Sequence, residues 1–127
     1  FISVNDHDKQ NAIDIARDFQ EMGFQIMATH GTTEVLRENG LIVQAIHKVN
    51  EGRPHVADHI KNGAIQLVIN TPMGALARED EYSIGRAAIR YKIPVITTLS
   101  GAKTAIRGIR RLALDDLTVK SLQDIFN

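Results

Sequence analysis

Phe24-Gln25-Ile26-Met27-Ala28-Thr29-His30-Gly31-Thr32-Thr33 decides the fold. An apolar run of strand character, Phe24 to Ala28, stops at Thr29, and Glu34-Val35-Leu36-Arg37-Glu38-Asn39 opens a helical segment directly afterwards. A strand that turns on one glycine into a helix headed by hydroxyls leaves several backbone N–H groups and the hydroxyls of Thr29, Thr32 and Thr33 facing one space. First-turn amides have no helical partner, and the helix dipole favours negative charge there. The stretch therefore predicts a pocket for phosphate or carboxylate.

Outward from this turn, strands and helices alternate. Phe1-Ile2-Ser3-Val4 reads as a strand, Asn5-Asp6 as a helix cap, and Ala12, Ile15, Ala16, Phe19 and Met22 as the inward face of a helix closed by Gly23. Leu41 to Ile46 is a third β-rich run, and His47 to Arg53 is loop-like. Pro54 suits the first position of a helix over His55 to Asn62, closed by Gly63. Ile65 to Asn70 is apolar enough for a strand buried on both faces, and Thr71-Pro72-Met73-Gly74 is a loop. Ile84, Ala87, Ala88 and Tyr91 mark the next helix, Pro94 to Thr98 a fifth strand, and Ala102, Ala105, Ile106, Ile109 and Leu112 the inward face of a last long helix. Leu117-Thr118-Val119 is expected to be extended, with a final helical turn behind it. Five alternations with short connections predict an α/β fold: three layers, a five-stranded parallel sheet, helices on both faces.

Composition narrows the class. With 127 residues, 43% hydrophobic and 24% charged, the chain is one ordinary globular domain spanning 1–127. Fifteen basic residues balance fifteen acidic ones, which argues against nucleic acid or an anionic membrane as partner. Absence of cysteine excludes disulfides and thiolate metal sites. No apolar run approaches the ~20 residues of a membrane span, and no signal peptide is visible; a cytoplasmic location is expected. The chain opens at Phe1 directly on a strand, so it is expected to be a domain cut from a longer polypeptide.

Open parallel sheets take ligands beyond the carboxyl ends of their strands. There the sequence supplies Asn5, Asp6 and Lys9, then Thr29, Gly31, Thr32 and Thr33, then Lys48, then Asn70 and Thr71, and finally Thr97, Thr98 and Ser100. Two lysines among so many hydroxyls suit a phosphate-bearing small molecule. Plainer roles stand beside these. Thr32 and Thr33 would serve as helix caps worth ~1 kcal/mol, and Lys9 in a first turn costs roughly 0.3–1 kcal/mol unless Asp6 and Asp8 offset it. His55 and His59 have a metal-ligand spacing, but no third ligand is evident and no metal site is expected. His30 suits a general acid or base, or equally a turn residue oriented by its backbone. Asp80 is either part of an acidic helix start, Glu79-Asp80-Glu81, or a partner for a ribose hydroxyl. Arg107, Arg110 and Arg111, with Lys103, form a solvated face or a surface for a neighbouring domain.

With these residues in view, the sequence resembles the carboxyl-terminal allosteric domain of the carbamoyl phosphate synthetase large subunit, which has the methylglyoxal synthase-like fold. The resemblance rests on Asp8-Lys9, Gly23-Phe24, Ala28-Thr29-His30-Gly31-Thr32, the run Lys48-Val49 with Glu51-Gly52-Arg53-Pro54-His55, then Asp58, Ile60-Lys61-Asn62-Gly63 and Ile69-Asn70-Thr71. It implies a regulatory module of a large ATP-dependent synthetase, binding nucleotide monophosphates such as UMP (inhibitory) or IMP. The family's phosphate ligands fall on Lys9, Thr29, Thr32 and Lys48, and its further nucleotide contacts on Asn70 and Asp80. No cofactor is implied for the domain itself; the parent would use ATP with Mg or Mn. Its partners would be the synthetase domains of the same large chain and a small glutaminase subunit.

Two departures bear on this. Pro72 stands where bacterial relatives carry a second threonine, which removes a hydroxyl and a backbone donor. Gly52-Arg53 stands where methylglyoxal synthase carries Gly-Asp, and a guanidinium cannot abstract a proton at neutral pH. The competing expectations are a methylglyoxal synthase-type phosphate-eliminating enzyme and a docking module without ligand.

Overall fold

Five short strands pair in parallel in the order β3-β2-β1-β4-β5. They are β1 (Ile2–Ser3), β2 (Ile26–Ala28), β3 (Val43–Ala45), β4 (Val68–Asn70) and β5 (Val95–Ile96). The helices are α1 (Lys9–Glu21), α2 (His30–Glu38), α3 (Val56–Lys61), α4 (Arg78–Arg90) and α5 (Leu99–Phe126), with a 3-10 turn at Asp6–Asp8. This computed structural model describes residues 1–72 and 78–126, without the side chains of 78–80 and 116–126. The loop positions Met73 and Gly74 and the Asp80 side chain, all singled out above, lie outside the described residues.

Alternation along the strands divides the core in two. Ile2, Ile26, Ala28, Val43 and Ile69 meet Ile13, Ile15, Ala16 and Phe19 of α1, Leu36 of α2, and Ala102 and Ile106 of α5. On the opposite face Met27 and Val68 meet Val56 and Ile60 of α3 and Ile84 of α4. β4 is therefore buried on both sides, as its uninterrupted apolar run predicts. Full burial of each of these Val, Ile, Leu and Phe side chains stabilises by about 1.5–3 kcal/mol. Phe19 and Phe24 meet edge to face, with centroids 5.3 Å apart. The result is the three-layer α/β sandwich expected from the sequence.

Several boundaries differ. α2 begins at His30, not Glu34, so Gly31, Thr32 and Thr33 form its first turn and not a loop before it. Gly31 has no positive φ; the chain changes direction at Thr29, whose extended backbone (φ −67°, ψ 160°) is the helix cap. Pro54 lies ahead of α3 and not at its first position, because His55 is the cap and Val56 the first helical residue. The 117–119 stretch is helical, not extended, and belongs to α5. Thr118 and Val119 lower helix propensity by only tenths of a kcal/mol, and neither Gly nor Pro occurs between Ile109 and Phe126 to stop the helix. Leu112, expected inward on α5, is exposed.

Candidate anion-binding site

The chain passes from β3 at one edge of the sheet to β4 on the far side of β1, so the strand order reverses between β1 and β4. In open α/β sheets such a reversal marks where ligands bind, beyond the carboxyl ends of the strands. Two hydroxyls flank the exit of β1. Val4 N–H donates to Thr32 Oγ1 at 3.3 Å, and Asn5 N–H donates to Thr71 Oγ1 at 2.9 Å. Each hydroxyl accepts there and retains its own proton to donate. Both threonines are 2% exposed, so their orientation is set by the fold. Asn5 secures the loop further. Its Oδ1 accepts Asp8 N–H at 2.9 Å, and its Nδ2 donates to the Pro72 carbonyl at 3.0 Å.

Thr29 occupies the cap position of α2 without capping it. Its hydroxyl donates instead to Ser3 Oγ at 3.2 Å, with Thr32 Oγ1 3.5 Å away. The first-turn amides of α2 thus lack the side-chain acceptor that a threonine at this position normally supplies for about 1 kcal/mol. Thr33 is placed differently from the other two. Its hydroxyl donates to Ala28 O at 3.1 Å and its amide to Thr29 O at 2.8 Å, so its donors secure the join between β2 and α2.

The charge comes from Lys9 and Lys48. Lys9 opens α1, and its side chain is 19% exposed. A Cβ at Gly31 would lie 3.5 Å from Lys9 Cε and 3.7 Å from Nζ, so the ammonium rests against the first turn of α2. A cation beside the positive end of a helix is unfavourable by a few tenths to 1 kcal/mol. Asp6 supplies the counter-charge from an almost fully exposed position. The hydrogen bond and charge of Lys9, with the Lys48 charge adding to them, hold the Asp6 carboxyl below the ordinary carboxylate range. Lys48 sits at the start of a turn in which its N–H donates to Glu51 Oε1 at 2.8 Å and its carbonyl accepts Glu51 N–H at 3.1 Å.

Asn70 ends β4, opposite Ser3 in register, and is 8% exposed. Lys9, Thr29, Gly31, Thr32, Asn70 and Thr71 therefore all stand around the exit of β1. Thr98 stands apart at the β5 edge, where its Oγ1 accepts Gly101 N–H at 3.0 Å and caps α5. Sequence reasoning missed Ser3, which holds the Thr29 hydroxyl. The pairing of Ile2 with Ala28, which sets β1 and β2 side by side, is the relationship that brings it there.

Arg53 and Asp58 form a second polar centre, at the start of α3. Asp58 accepts His55 N–H at 2.9 Å and pairs with the Arg53 guanidinium, whose Nε lies 3.2 Å from Oδ2. The Arg53 hydrogen bond, helped by the His55 amide, holds the Asp58 carboxyl far below the usual carboxylate range. His55 Nδ1 lies 3.5 Å from Asp58 Oδ2 and is a buried nitrogen without a hydrogen-bond partner among the described residues. A groove of about 560 Å³ between α3 and α4 runs past these residues, lined by Lys61, Arg86 and Arg90 among others. A small apolar cavity of about 40 Å³, lined by Phe1, Phe19, Phe24 and Leu67, lies away from these polar residues.

An open parallel sheet with helices on both faces and polar residues gathered at the strand-order reversal defines the class: a three-layer α/β domain. Residues 11–97 match the MGS-like domain family, and the chain belongs to that family. It is 49% identical over 124 residues to the carbamoyl phosphate synthase large chain of Nostoc sp., covering 98% of this chain and 11% of that protein. It is 46% identical over 125 residues to the carbamoyl phosphate synthase large chain, C-terminal section, of Methanopyrus kandleri, covering 98% of this chain and 23% of that protein. The chain thus spans less than a quarter of either relative. A crystal structure of methylglyoxal synthase from Elizabethkingia anophelis superposes with a TM-score of 0.63 over 83% of this chain and 75% of that one, at 16% identity. That likeness establishes the fold. Among the described residues no helix is long and apolar enough to cross a membrane.

Proposed function

We propose that the chain is the effector-binding module of a carbamoyl phosphate synthase large chain, and that it senses a phosphorylated nucleotide of the UMP or IMP type. The observation that carries this reading is Lys9, sheltered and held against the uncapped first turn of α2. An anion there would meet an ammonium, free amides and the protons of Thr32 and Thr71, and would relieve the contact between a cation and a helix N-terminus. Lys48 adds charge, Gly31 permits the close approach, and Thr33 keeps the turn in place. Asn70, and Asp80 beyond it, would meet the nucleoside.

In the parent enzyme, synthesis of carbamoyl phosphate from glutamine and ATP, for pyrimidines and arginine, would belong to the other synthetase domains and a small glutaminase subunit in the cytoplasm. Effector binding would regulate that synthesis by favouring one state of the assembly. The eliminating-enzyme alternative needs a carboxylate free to take a proton. Asp58, in the segment that carries Arg53, is committed to the guanidinium and to the His55 amide. Calorimetric titration of the chain with UMP, IMP and inorganic phosphate tests the proposal. Saturable binding that is lost in Lys48→Ala is expected, and no heat with any of them leaves only the docking role.

A further inference from the structure

Parallel pairing of β2 with β3 sets Ala28 opposite Ala45. Two residues beyond each stand His30 and His47, which consequently leave the sheet side by side. Their rings lie 5.3 Å apart between centroids, with His30 Nε2 3.4 Å from His47 Nδ1. The Lys48–Glu51 turn folds the Glu51 carboxylate back onto the pair. Among the described residues these three side chains alone form a histidine and carboxylate group whose ligand atoms all lie within 4.8 Å of one another. Gly52 follows with φ +139°, and a Cβ there would lie 3.8 Å from the His47 ring, so the backbone passes close to the imidazole.

We propose that His30, His47 and Glu51 bind a borderline transition-metal ion of the Zn²⁺ class. The separation of the nitrogens fits a shared ion. Two imidazole nitrogens at 2.0–2.1 Å from a tetrahedral ion stand about 3.4 Å apart, and His30 Nε2 and His47 Nδ1 stand at that distance, bridged by one imidazole N–H when no ion is bound. The donor set points to the same class of ion. Imidazole selects Zn²⁺, Ni²⁺ or Cu²⁺ over Mg²⁺ and Ca²⁺, which require all-oxygen ligands. Glu51 Oε1 accepts the Lys48 amide at 2.8 Å, an outer hydrogen bond of the kind that orients a ligating carboxylate. Three protein ligands leave a coordination position open. His30 and Glu51 are exposed and His47 half-buried, so the ion exchanges with solvent and is not a structural clamp. Neither histidine is near the other in sequence, and the β2–β3 register alone joins them.

The test is calorimetric titration of the chelator-stripped chain with Zn²⁺ in a buffer without phosphate compounds, so its outcome is independent of the effector site. One equivalent is expected to bind, and affinity should fall at least about tenfold in His30→Ala, in His47→Ala and in the conservative Glu51→Gln, since even outer partners of a metal ligand contribute that much. His59→Ala should bind as the unaltered chain does. Circular dichroism of each variant separates loss of ligands from loss of fold, and Glu51→Gln on an exposed turn is the variant least exposed to that objection. Absence of saturable Zn²⁺ binding, or equal binding in the folded His47→Ala and Glu51→Gln variants, overturns the site and leaves a simple contact between two imidazoles.

Discussion

Two cation–carboxylate pairs stand at the starts of helices beside the sheet, and they are built the opposite way round. In Lys9–Asp6 the cation is sheltered, 19% exposed against 98% for its partner. In Arg53–Asp58 the carboxylate is sheltered, 20% exposed against 76%. Asp58 is also held by the His55 amide and closes the cap of α3. Asp6, among the described residues, bonds Lys9 alone. One pair is a fixed negative charge that starts a helix, with a dispensable cation. The other is a fixed positive charge with an exposed anion, the kind of counterion that the phosphate of the proposed effector would replace. Similar chemistry serves the fold in the first place and, under the proposed function, a ligand in the second.

The largest expected effect is on ligand affinity in Lys9→Ala. Loss of a charge-assisted hydrogen bond of about 1.5–3 kcal/mol weakens nucleotide binding roughly 10- to 100-fold by calorimetry, with little change in the melting temperature. An equal loss in Arg53→Ala would erase the distinction between the pairs. Next comes Asp58→Ala, expected to lower stability by about 1–2 kcal/mol in urea unfolding through the lost helix cap, while nucleotide affinity holds.

A pH series sharpens the same point. The folded-state pKa of Asp58 is depressed, so its contribution is fully present above the unfolded carboxylate value of about 4 and is lost as pH falls through the folded value. Urea midpoints of Asp58→Asn should therefore fall less steeply below pH 4 than those of the unaltered chain. Smaller again is Asp6→Asn. Removing the competing carboxylate should tighten phosphate binding by a few-fold at most, in line with the small contribution of an exposed ion pair. Arg53→Ala closes the series with a stability loss smaller than that of Asp58→Ala, because its guanidinium is 76% exposed and solvent screens the pair.

The sheet, its parallel sense and both helical layers were legible because burial on two faces demands apolar runs, and Ile65 to Asn70 is one. The start of α2 departs from the sequence expectation for a physical reason. Gly31 invites a reading as the turning residue, yet Thr29 makes the turn with ordinary extended backbone, and Gly31 instead accommodates the Lys9 side chain. Thr118 and Val119 suggested a strand, but no neighbour pairs with them in the sheet order and the helix simply continues. The rule that ligands sit beyond strand ends puts Lys9, Thr32 and Thr71 in one group, and the fold sets all three around the exit of β1. Which hydroxyls accept backbone amides is not legible in the sequence, because that depends on Val4 and Asn5 amides reaching Thr32 and Thr71 from distant positions in the chain. The His30–His47 contact was hidden for the same reason, since it follows from strand register and not from spacing.

The uncapped start of α2 has a thermodynamic consequence. A helix whose missing cap is supplied by a dissolved anion melts at a temperature that depends on how much of that anion is present. A ligand at 100 times its dissociation constant adds about 2.7 kcal/mol to the folded state, which for a chain of this size raises the melting point by roughly 10 °C. Heat resistance of the domain would then track the nucleotide pool, so that a melting curve becomes a concentration gauge.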